Sequence, residues 1–331
     1  MITVVPVELM DATLASEVVD GLGLVEDGLR EAARSQHDLL TQTSAHLMDA
    51  GGKRFRAILV LLAAQFGNPR DPRVVPAAVA IELTHLATLY HDDVMDEAAV
   101  RRSSQTANAR WDNMVAILTG DFLFARASQI LADLGEQAIR IQAETFMRLV
   151  SGQVAETIGP RAGEDPLDHY LSVVTEKTGS LIATAGRFGA MFAGAPESVT
   201  ARITPACAAI GVAFQLSDDI LDVTSESGQS GKTPGTDLRE GVRTLPMLHA
   251  LRSAGPQDAR LVELLSLDDL SDPARHAEAL VLLRAHPAMQ MARDDLRYWS
   301  DMARKEILAL PDVPARAAFE MLCEFVVERT G

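Results

Sequence analysis

The sequence predicts an all-α protein that folds as a single large helical bundle. Of the 331 residues, 47% are hydrophobic and only 5% are aromatic. The apolar residues recur with the period of a helix rather than with the alternation of a half-buried strand. No stretch rich in Pro, Gly or Ser divides the chain as a linker would, so residues 1–331 are predicted to form one domain.

Helical periodicity, bounded by Gly, Pro or Asp, predicts the elements in chain order. The predicted helices are 12–49, 53–66, 74–97, 107–132, 135–158, 166–193, 199–224, 244–253, 259–265, 274–285, 287–309 and 314–329. Residues 225–243, SESGQSGKTPGTDLREGVR, contain four glycines and a proline and are predicted to form a long loop. Loops of this kind often carry functional residues.

The net charge of −16 argues against a nucleic-acid partner, because that binding depends on Lys and Arg neutralising phosphates. It does not exclude a phosphorylated substrate, since clustered carboxylates bind divalent cations that in turn bind phosphates. A surface kept soluble by its charge also explains the acidic excess.

Cys207 and Cys323 are too few for a disulfide framework and lie in apolar helical surroundings, which indicates buried thiols in a reducing cytoplasm. The first residues lack a basic segment followed by a long apolar run. No stretch reaches the ~18–20 apolar residues of a membrane span. No transmembrane segment is therefore expected.

The motif HDDVMDE contains the first aspartate cluster, Asp92, Asp93 and Asp96, near the end of a predicted helix. Residues four apart share a helix face, so Asp92 and Asp96 face one point. Grouped carboxylates near a helix C-terminus repel one another and the negative end of the helix dipole. Bound cations would reverse that penalty.

The motif FQLSDDILD repeats this spacing as the second aspartate cluster, Asp218, Asp219 and Asp222, with Gln215 on the same face. A single cluster is equally well explained by a solvated helix face. Two clusters, each preceded by apolar helix, favour magnesium, which prefers oxygen ligands and is usually held by a few carboxylates together with substrate phosphates.

Cationic side chains occur beside glycine turns and beside the acidic motifs, a position that favours phosphate binding. Each alone is also explained by ordinary surface charge. They lie in GGKRFR, VRR, TEKTG and SGKTPG and comprise Lys53, Arg54, Arg56, Arg101, Arg102, Lys177 and Lys232.

His85 lies seven residues before Asp92, on a stripe that also contains Leu89. Its imidazole can donate to a phosphate, and a hydrogen-bonded core histidine is the alternative. His91 points to another side of the helix and is predicted to be structural. A third acidic pair at 294–295 is assigned to the surface.

These motifs resemble those of the trans-isoprenyl diphosphate synthases, also called polyprenyl synthetases, of the medium- to long-chain type. The match runs from about Gly51 to the chain end and comprises GGKRFR, ELTHLATLYHDDVMDEAAVRR, GDFLFARA, TEKTGSL, FQLSDDILD, GKTPGTDLREGVRTLP and FVVER. The resemblance implies an isoprenoid synthase-like bundle around a deep central cavity and a homodimer. It also implies an enzyme that condenses isopentenyl diphosphate with an allylic diphosphate and releases diphosphate.

By this resemblance, several magnesium ions bridged by substrate diphosphate are bound by Asp92, Asp96, Asp218, Asp219 and Asp222. The allylic diphosphate is held by Arg101 and Lys232. Isopentenyl diphosphate is held by Lys53, Arg56, His85 and Arg102. The residues implied around the diphosphate and the developing allylic cation are Lys177, Thr178 and Gln215, which supply charge and dipoles. The departing diphosphate accepts the proton, so no side-chain base is implied.

Three departures from the family pattern affect the expected binding of diphosphate more than the expected reaction. The first motif ends in FRA where proline usually follows the arginine, and RRSSQT replaces a more common Arg-Arg-Gly pattern. Arg243 stands where lysine is frequent. All three are mild substitutions.

Two other functions are consistent with part of this pattern. A class I terpene cyclase also ionises prenyl diphosphates, but its second metal motif normally mixes Asn or Asp with Ser/Thr and Glu. A non-catalytic subunit of a prenyl synthase lacks acidic and basic ligands that are all present here. A peripheral membrane contact for product release is a further expectation.

Product length is expected to be set along the helix that carries Asp92. Ala87 and Thr88 lie five and four residues before it, about 6–7.5 Å along the axis, and both are small. Shorter-chain members of the family commonly place a bulky aromatic residue there, so the sequence resembles synthases of the hexaprenyl to decaprenyl range. Tyr90 is expected to project to a different side. Alternatively, Ala87 is small so that two helices approach closely.

Overall fold

The computed structural model describes residues 11–225, 234–267 and 269–330 and confirms the all-α prediction. In these residues the helices are α1 (Ala12–Ala32), α2 (Asp38–Asp49), α3 (Phe55–Ala64), α4 (Val74–Met95), α5 (Ala107–Arg110), α6 (Asn113–Leu134), α7 (Glu136–Ile158), α8 (Pro166–Val174), α9 (Ser180–Phe192), α10 (Glu197–Thr224), α11 (Thr236–Arg239), α12 (Leu245–Ser253), α13 (Ala259–Leu265), α14 (Pro273–Ala285), α15 (Ala288–Leu308) and α16 (Pro314–Glu328). A π-helical turn, Thr175–Gly179, joins α8 to α9, and a 3-10 turn, Pro256–Asp258, precedes α13. Strands β1 (Val100–Arg101) and β2 (Ser104–Gln105) pair as an antiparallel hairpin that periodicity did not predict.

Three long helices predicted from periodicity are each divided in the structure, 166–193 by the π-helical turn and the other two beside side-chain hydrogen bonds. The predicted helix 12–49 is interrupted where the Thr41 hydroxyl accepts from Ser35 N at 2.9 Å and donates to Ser35 O at 3.2 Å. The predicted helix 107–132 is interrupted where the Asp112 side chain accepts from Val115 N at 2.7 Å and caps α6. Such side-chain bonds compete locally with helical hydrogen bonds and leave the apolar periodicity unchanged.

Contacts between Cα atoms divide the chain into two compact units. Unit 1 comprises the described residues of Met1–Met147, Leu181–Cys207 and Ile307–Phe319. Unit 2 comprises those of Arg148–Ser180, Ala208–Glu306 and Glu320–Gly331. The boundaries fall inside α7, α9, α10, α15 and α16 rather than in linkers. The single domain inferred from the sequence stays a prediction.

The core of unit 1 is formed largely by α1, α3, α4 and α6. Every residue of α3 from Ala57 to Ala64 is buried. The helices approach closely at glycines, since a Cβ atom at Gly28 of α1 would lie 2.7 Å from Cγ2 of Val79 in α4. This packing fixes the axis of α4, the helix that carries the first aspartate cluster.

The core of unit 2 surrounds the C-terminal half of α10. Buried apolar side chains reach it from α8, α10, α12, α13, α14 and α15, and include Leu167, Leu216, Leu245, Leu264, Leu283 and Leu296. Fully burying each such side chain contributes about 1.5–3 kcal/mol. The second aspartate cluster therefore lies on a helix that is held on several sides.

Helix α4 ends directly after the first aspartate cluster in a Schellman motif. Ala98 N donates to Asp93 O at 3.0 Å, and Glu97 N donates to Val94 O at 3.3 Å. Glu97 takes the left-handed φ of 49° that this motif requires. The chain therefore reverses sharply beyond Asp96 and enters the hairpin.

The β1–β2 hairpin turns through Arg102 and Ser103, whose φ values are 53° and 60°. Positive φ at both central residues defines a type I′ turn, which favours Asn-Gly or Gly-Gly. Two bulkier residues in this conformation store strain. The strain lies at Arg102 and directly after Arg101, two of the predicted phosphate ligands.

Two helices, Asn113–Leu134 and Glu197–Thr224, are long and apolar enough to cross a bilayer by length and composition. A buried core helix passes the same test, and 61% of the apolar window of Glu197–Thr224 is buried. Only 33% of the corresponding window of Asn113–Leu134 is buried, so α6 exposes apolar surface. The absence of a transmembrane segment stays a prediction.

Replacing Ser103 by glycine should relieve the strain of the turn. We expect Ser103→Gly to raise the free energy of unfolding by about 1 kcal/mol, because glycine reaches positive φ without a Cβ clash. Urea denaturation measures the change. The matched control is Ser104→Gly in strand β2, which should lower stability by about 0.5–1 kcal/mol. Equal effects of the two substitutions would contradict the assignment of strain to the turn.

Candidate active site

One face of α4 remains accessible and carries the predicted ligands of unit 1. His85, Thr88 and Asp92 are partly exposed and Asp96 is exposed, whereas most other residues of α4 are buried. Their spacing of three, four and four residues places them on one helical stripe. Leu89, which the sequence placed on this stripe, is nearly covered.

Asp93 lies on the buried side of α4 and is fully inaccessible. Its Oδ1 accepts from Nε of Arg101 at 2.5 Å. Its carbonyl oxygen accepts from the side chain of Asn108 at 3.1 Å. Burial raises the pKa of Asp93, although the bond to Arg101 acts in the opposite direction. Asp93 therefore anchors the hairpin to α4 and does not share the accessible face of Asp92 and Asp96.

Arg101, a predicted ligand of the allylic diphosphate, is oriented by this ion pair. The guanidinium has five N–H donors, and the bond to Asp93 uses Nε. The side chain is partly exposed. The terminal nitrogens of Arg101 can therefore bind a phosphate while Asp93 holds the side chain in place.

Arg56, His85 and Arg102 form a basic cluster in unit 1. Burial lowers the pKa of Arg56 to about 10, an effect that Glu82 opposes and Arg102 adds to. Burial and the guanidinium groups of Arg56, Arg102, Arg101 and Arg54 hold the pKa of His85 well below its usual value. His85 is therefore neutral at pH 7, in a strongly positive field. Such a field attracts a polyvalent anion.

Main-chain acceptors orient the side chain of Arg102. Its Nη1 donates to Leu47 O at 3.1 Å and to the carbonyl of Gly51. A Cβ atom at Gly52 would lie 2.8 Å from the same Nη1. The glycine pair of GGKRFR thus lets the guanidinium lie against the main chain.

Glu82 is a residue of this site that the sequence reasoning missed. It is 2% exposed on α4, and its Oε1 accepts from Ala57 N at 3.0 Å. Its negative charge acts on both Arg56 and Arg102. The available signal was an acidic residue within the apolar run VAIEL.

Lys53 and Arg54 are adjacent in sequence and differ in environment. Lys53 is exposed, whereas Arg54 is 8% exposed. Arg54 Nε donates to Glu26 Oε1 at 2.6 Å, and Nη2 donates to Met48 O at 3.3 Å. Arg54 therefore joins α1 to the start of α3, whereas the ligand role of the exposed Lys53 stays a prediction.

In unit 2, Asp218 and Asp219 are also adjacent in sequence and differ in burial. Asp218 is exposed and lies 2.8 Å from Nη2 of Arg329. Arg329 also donates to Ser217 Oγ at 2.5 Å and stacks on the ring of Phe214, 4.2 Å from its centroid. The role of Arg329, in the closing FVVER, was not predicted from the sequence.

Asp219 is 2% exposed and accepts three hydrogen bonds. The Tyr170 hydroxyl and Leu245 N, the latter at 3.2 Å, donate to Oδ2. Gln215 Nε2 donates to Oδ1 at 3.1 Å. Burial raises the pKa of Asp219 to about 6, against the effect of these donors. Asp219 is thus the inward-facing carboxylate of the second cluster.

Asp222 closes the second cluster by accepting hydrogen bonds from residues within the predicted loop 225–243. Its carboxylate accepts from Thr236 N at 3.1 Å and from Asp237 N at 3.2 Å. Its carbonyl accepts from Gly235 N at 2.7 Å. Lys232, the predicted phosphate ligand in this segment, lies outside the described residues.

Lys177 and Thr178 lie in the π-helical turn between α8 and α9. Lys177 Nζ donates to Glu156 Oε2 of α7 at 2.5 Å. A Cβ atom at Gly152 of α7 would lie 2.9 Å from Lys177 N, so the glycine permits this approach. Single π-helical turns frequently occur at functional sites. The sequence predicted an unbroken helix over 166–193 here.

Other sequence predictions are settled by local contacts. His91 is structural as predicted, with its Nε2 3.3 Å from Ile117 O. Asp294 is exposed, but the surface assignment of Asp295 was wrong in part, because its carboxylate lies 2.8 Å from Nε2 of the buried His249. Both cysteines are buried, and no disulfide joins them.

The carboxylates that remain accessible fit a hard divalent cation. Among the residues that the structure describes, no three His, Cys, Asp or Glu side chains converge as a metal site on their own. Magnesium seldom needs such a cage, because it keeps several waters and is bound by one or two carboxylates together with substrate phosphates. Asp92 and Asp96 in unit 1 and Asp218 in unit 2 offer oxygens of this kind.

Comparisons with known proteins agree with this chemistry. The family model described as "Polyprenyl synthetase" matches residues 37–283. Nonaprenyl diphosphate synthase of Mycobacterium tuberculosis is 50% identical over 98% of this chain and 97% of its own length. Geranylgeranyl pyrophosphate synthase of Corynebacterium glutamicum, solved with calcium and isoprenyl diphosphate, has a TM-score of 0.89 at 46% identity over 98% of this chain and 100% of its own. Decaprenyl diphosphate synthase of Rhodobacter capsulatus has a TM-score of 0.86 at 34% identity over 96% and 99%.

Alanine substitutions of the exposed Lys53 and the buried Arg54 should have different effects on stability and on diphosphate binding. Arg54→Ala should lower the free energy of unfolding by about 2 kcal/mol, because it leaves Glu26 and Met48 O without a donor. Lys53→Ala should change stability by less than about 0.5 kcal/mol. It should instead weaken binding of inorganic diphosphate about tenfold, through loss of a charge-assisted bond. Urea denaturation and calorimetry measure the two effects, and a reversed pattern would contradict the assignment.

Proposed function

Because the chain belongs to the polyprenyl synthetase family, we propose that it condenses isopentenyl diphosphate with an allylic diphosphate. The product is a trans-polyprenyl diphosphate of medium to long chain, and diphosphate is released. One observation carries the proposal: His85 and the accessible Asp92 and Asp96 lie along a single face of α4, and the charges of Arg56 and Arg102 act on His85. An anionic acceptor and a metal-bound diphosphate can therefore bind side by side.

The acceptor side of the reaction depends on the basic cluster. Arg56 and Arg102 hold two positive charges beside His85, and exposed Lys53 adds a third. The diphosphate of isopentenyl diphosphate neutralises this charge when it binds. The neutral imidazole of His85 contributes a hydrogen bond rather than a further charge.

The allylic side depends on carboxylates and on separate cations. Asp92, Asp96, Asp218, Asp219 and Asp222 are the proposed magnesium-binding set, with Asp219 acting from its buried position. When bound, the magnesium ions supply positive charge that stabilises the leaving diphosphate. Arg101 and Lys232 are proposed to hold the allylic diphosphate. Lys177, Thr178 and Gln215 are proposed to orient the departing group.

The reaction breaks the carbon–oxygen bond of the allylic diphosphate and forms a carbon–carbon bond to the double bond of the acceptor. A proton then leaves the new chain, and the departing diphosphate is proposed to accept it. The role of the chain's residues is to position both diphosphates and to exclude water from the allylic cation. A cytoplasmic location is part of the proposal.

Two helices leave rows of apolar side chains exposed: Met114, Ile117 and Leu118 on α6, and Met147, Val150, Val154 and Ile158 on α7. Rows of exposed apolar side chains on a helix mark candidate interaction sites. The proposal therefore includes a homodimer formed through these helices and, in addition, a peripheral membrane contact for product release. Light scattering that shows a monomer at micromolar concentration would contradict the dimer.

Turnover assays with radiolabelled isopentenyl diphosphate test the function directly. The wild-type protein should make elongated products only with Mg²⁺, whereas cyclic hydrocarbons would indicate a terpene cyclase and no product a non-catalytic subunit. Asp92→Ala should lower turnover by about two to three orders of magnitude, as expected for loss of charge stabilisation in the transition state. Its thermal stability should be unchanged or higher, because like-charge repulsion falls. The control, Asp294→Ala on the exposed face of α15, should keep full turnover.

Product length is tested at Ala87, which is 1% exposed, and is compared with the partly exposed Thr88. If Ala87 borders the path of the growing chain, Ala87→Phe should retain activity and shift the products to short prenyl diphosphates. If Ala87 is small because helices pack against it, the ring should instead cost about 1–3 kcal/mol of stability and leave product length unchanged. Chromatography of dephosphorylated products and urea denaturation distinguish the two outcomes.

A further inference from the structure

Tyr170 contacts the second aspartate cluster from a different helix. It lies on α8, and its ring packs against the core of unit 2. Its hydroxyl donates to Oδ2 of Asp219, an oxygen that also accepts from Leu245 N at 3.2 Å. The carboxylate of Asp219 thus links α8, α10 and the first residue of α12.

The bond joins the Tyr170 hydroxyl to a carboxylate that is only 2% exposed. A hydroxyl that donates to a carboxylate forms a charge-assisted hydrogen bond, roughly twice as strong as a neutral one.

We propose that Tyr170 is a positioning residue for the metal-binding carboxylates of unit 2. By fixing the carboxylate of Asp219, its hydroxyl sets the rotation of the α10 turn that carries Asp218 and Asp222. Groups that hydrogen-bond to metal-binding carboxylates typically change metal affinity by 10–100-fold when they are removed. The inference rests on the proposed function, because it assumes that these carboxylates bind metal with diphosphate.

The other two tyrosines of the chain make a comparison possible. Tyr90, in unit 1, is fully buried, and its hydroxyl donates to Thr43 O and accepts from Leu47 N at 3.2 Å. Both of its bonds are to main-chain groups of α2. Tyr90 therefore projects to a different side of α4 from the predicted site, as expected from the sequence. Tyr298 is 60% exposed on α15.

Tyr170→Phe removes the hydroxyl and keeps the ring. We expect the Mg²⁺ concentration for half-maximal activity to rise about tenfold or more, with a lower kcat and an unchanged KM for isopentenyl diphosphate. Calorimetry without turnover should show the same weakening for Mg²⁺ titrated in the presence of inorganic diphosphate. Tyr90→Phe, the control for loss of a buried hydroxyl, should lower thermal stability and leave both Mg²⁺ measurements unchanged.

A double-mutant cycle tests whether Tyr170 acts through Asp219. In an Asp219→Asn background, Tyr170→Phe should have little further effect on Mg²⁺ binding. Lower stability of Tyr170→Phe with wild-type Mg²⁺ binding would overturn the inference, as would full additivity in the cycle. If the wild-type protein made no elongated product, the proposed function would fail, and calorimetry would still decide the role of Tyr170.

Discussion

A carboxylate can be buried only where hydrogen-bond donors or cations replace its water, and this requirement shapes both aspartate clusters. The second aspartate of each cluster, Asp93 in unit 1 and Asp219 in unit 2, is buried and held by protein donors. The first aspartate of each cluster remains accessible. Successive residues are 100° apart on a helix, so one aspartate can be held by protein donors while its neighbour stays accessible.

The anchors also orient the cations. Asp93 holds Arg101 at the start of the strained hairpin, and Glu82 lies beside Arg56 and Arg102. Unit 1 therefore carries oriented, positively charged side chains before any substrate binds. Side chains fixed in this way lose little entropy when they meet a diphosphate, which is the condition for effective electrostatic catalysis.

In unit 2, a π-helical turn and a residue near the chain end orient cationic side chains. The π-helical turn presents Lys177 towards Glu156, and Gly152 permits the close approach of α7. Arg329, close to the chain end, pairs with Asp218. Each of these contacts joins segments that are distant in sequence, so each depends on the completed packing of the unit.

The sequence by itself determined the helical class, the boundaries of most helices, the residue types of the site and the family resemblance. These features depend on local periodicity and on motifs that can be seen along the chain. Only the tertiary structure showed that Lys53 and Asp218 are exposed while their neighbours Arg54 and Asp219 are buried. It also showed where the predicted helices 12–49 and 107–132 are broken. The physical reason is that spacing fixes the direction of a side chain around its helix axis, whereas burial and hydrogen-bond partners depend on which other helix packs there.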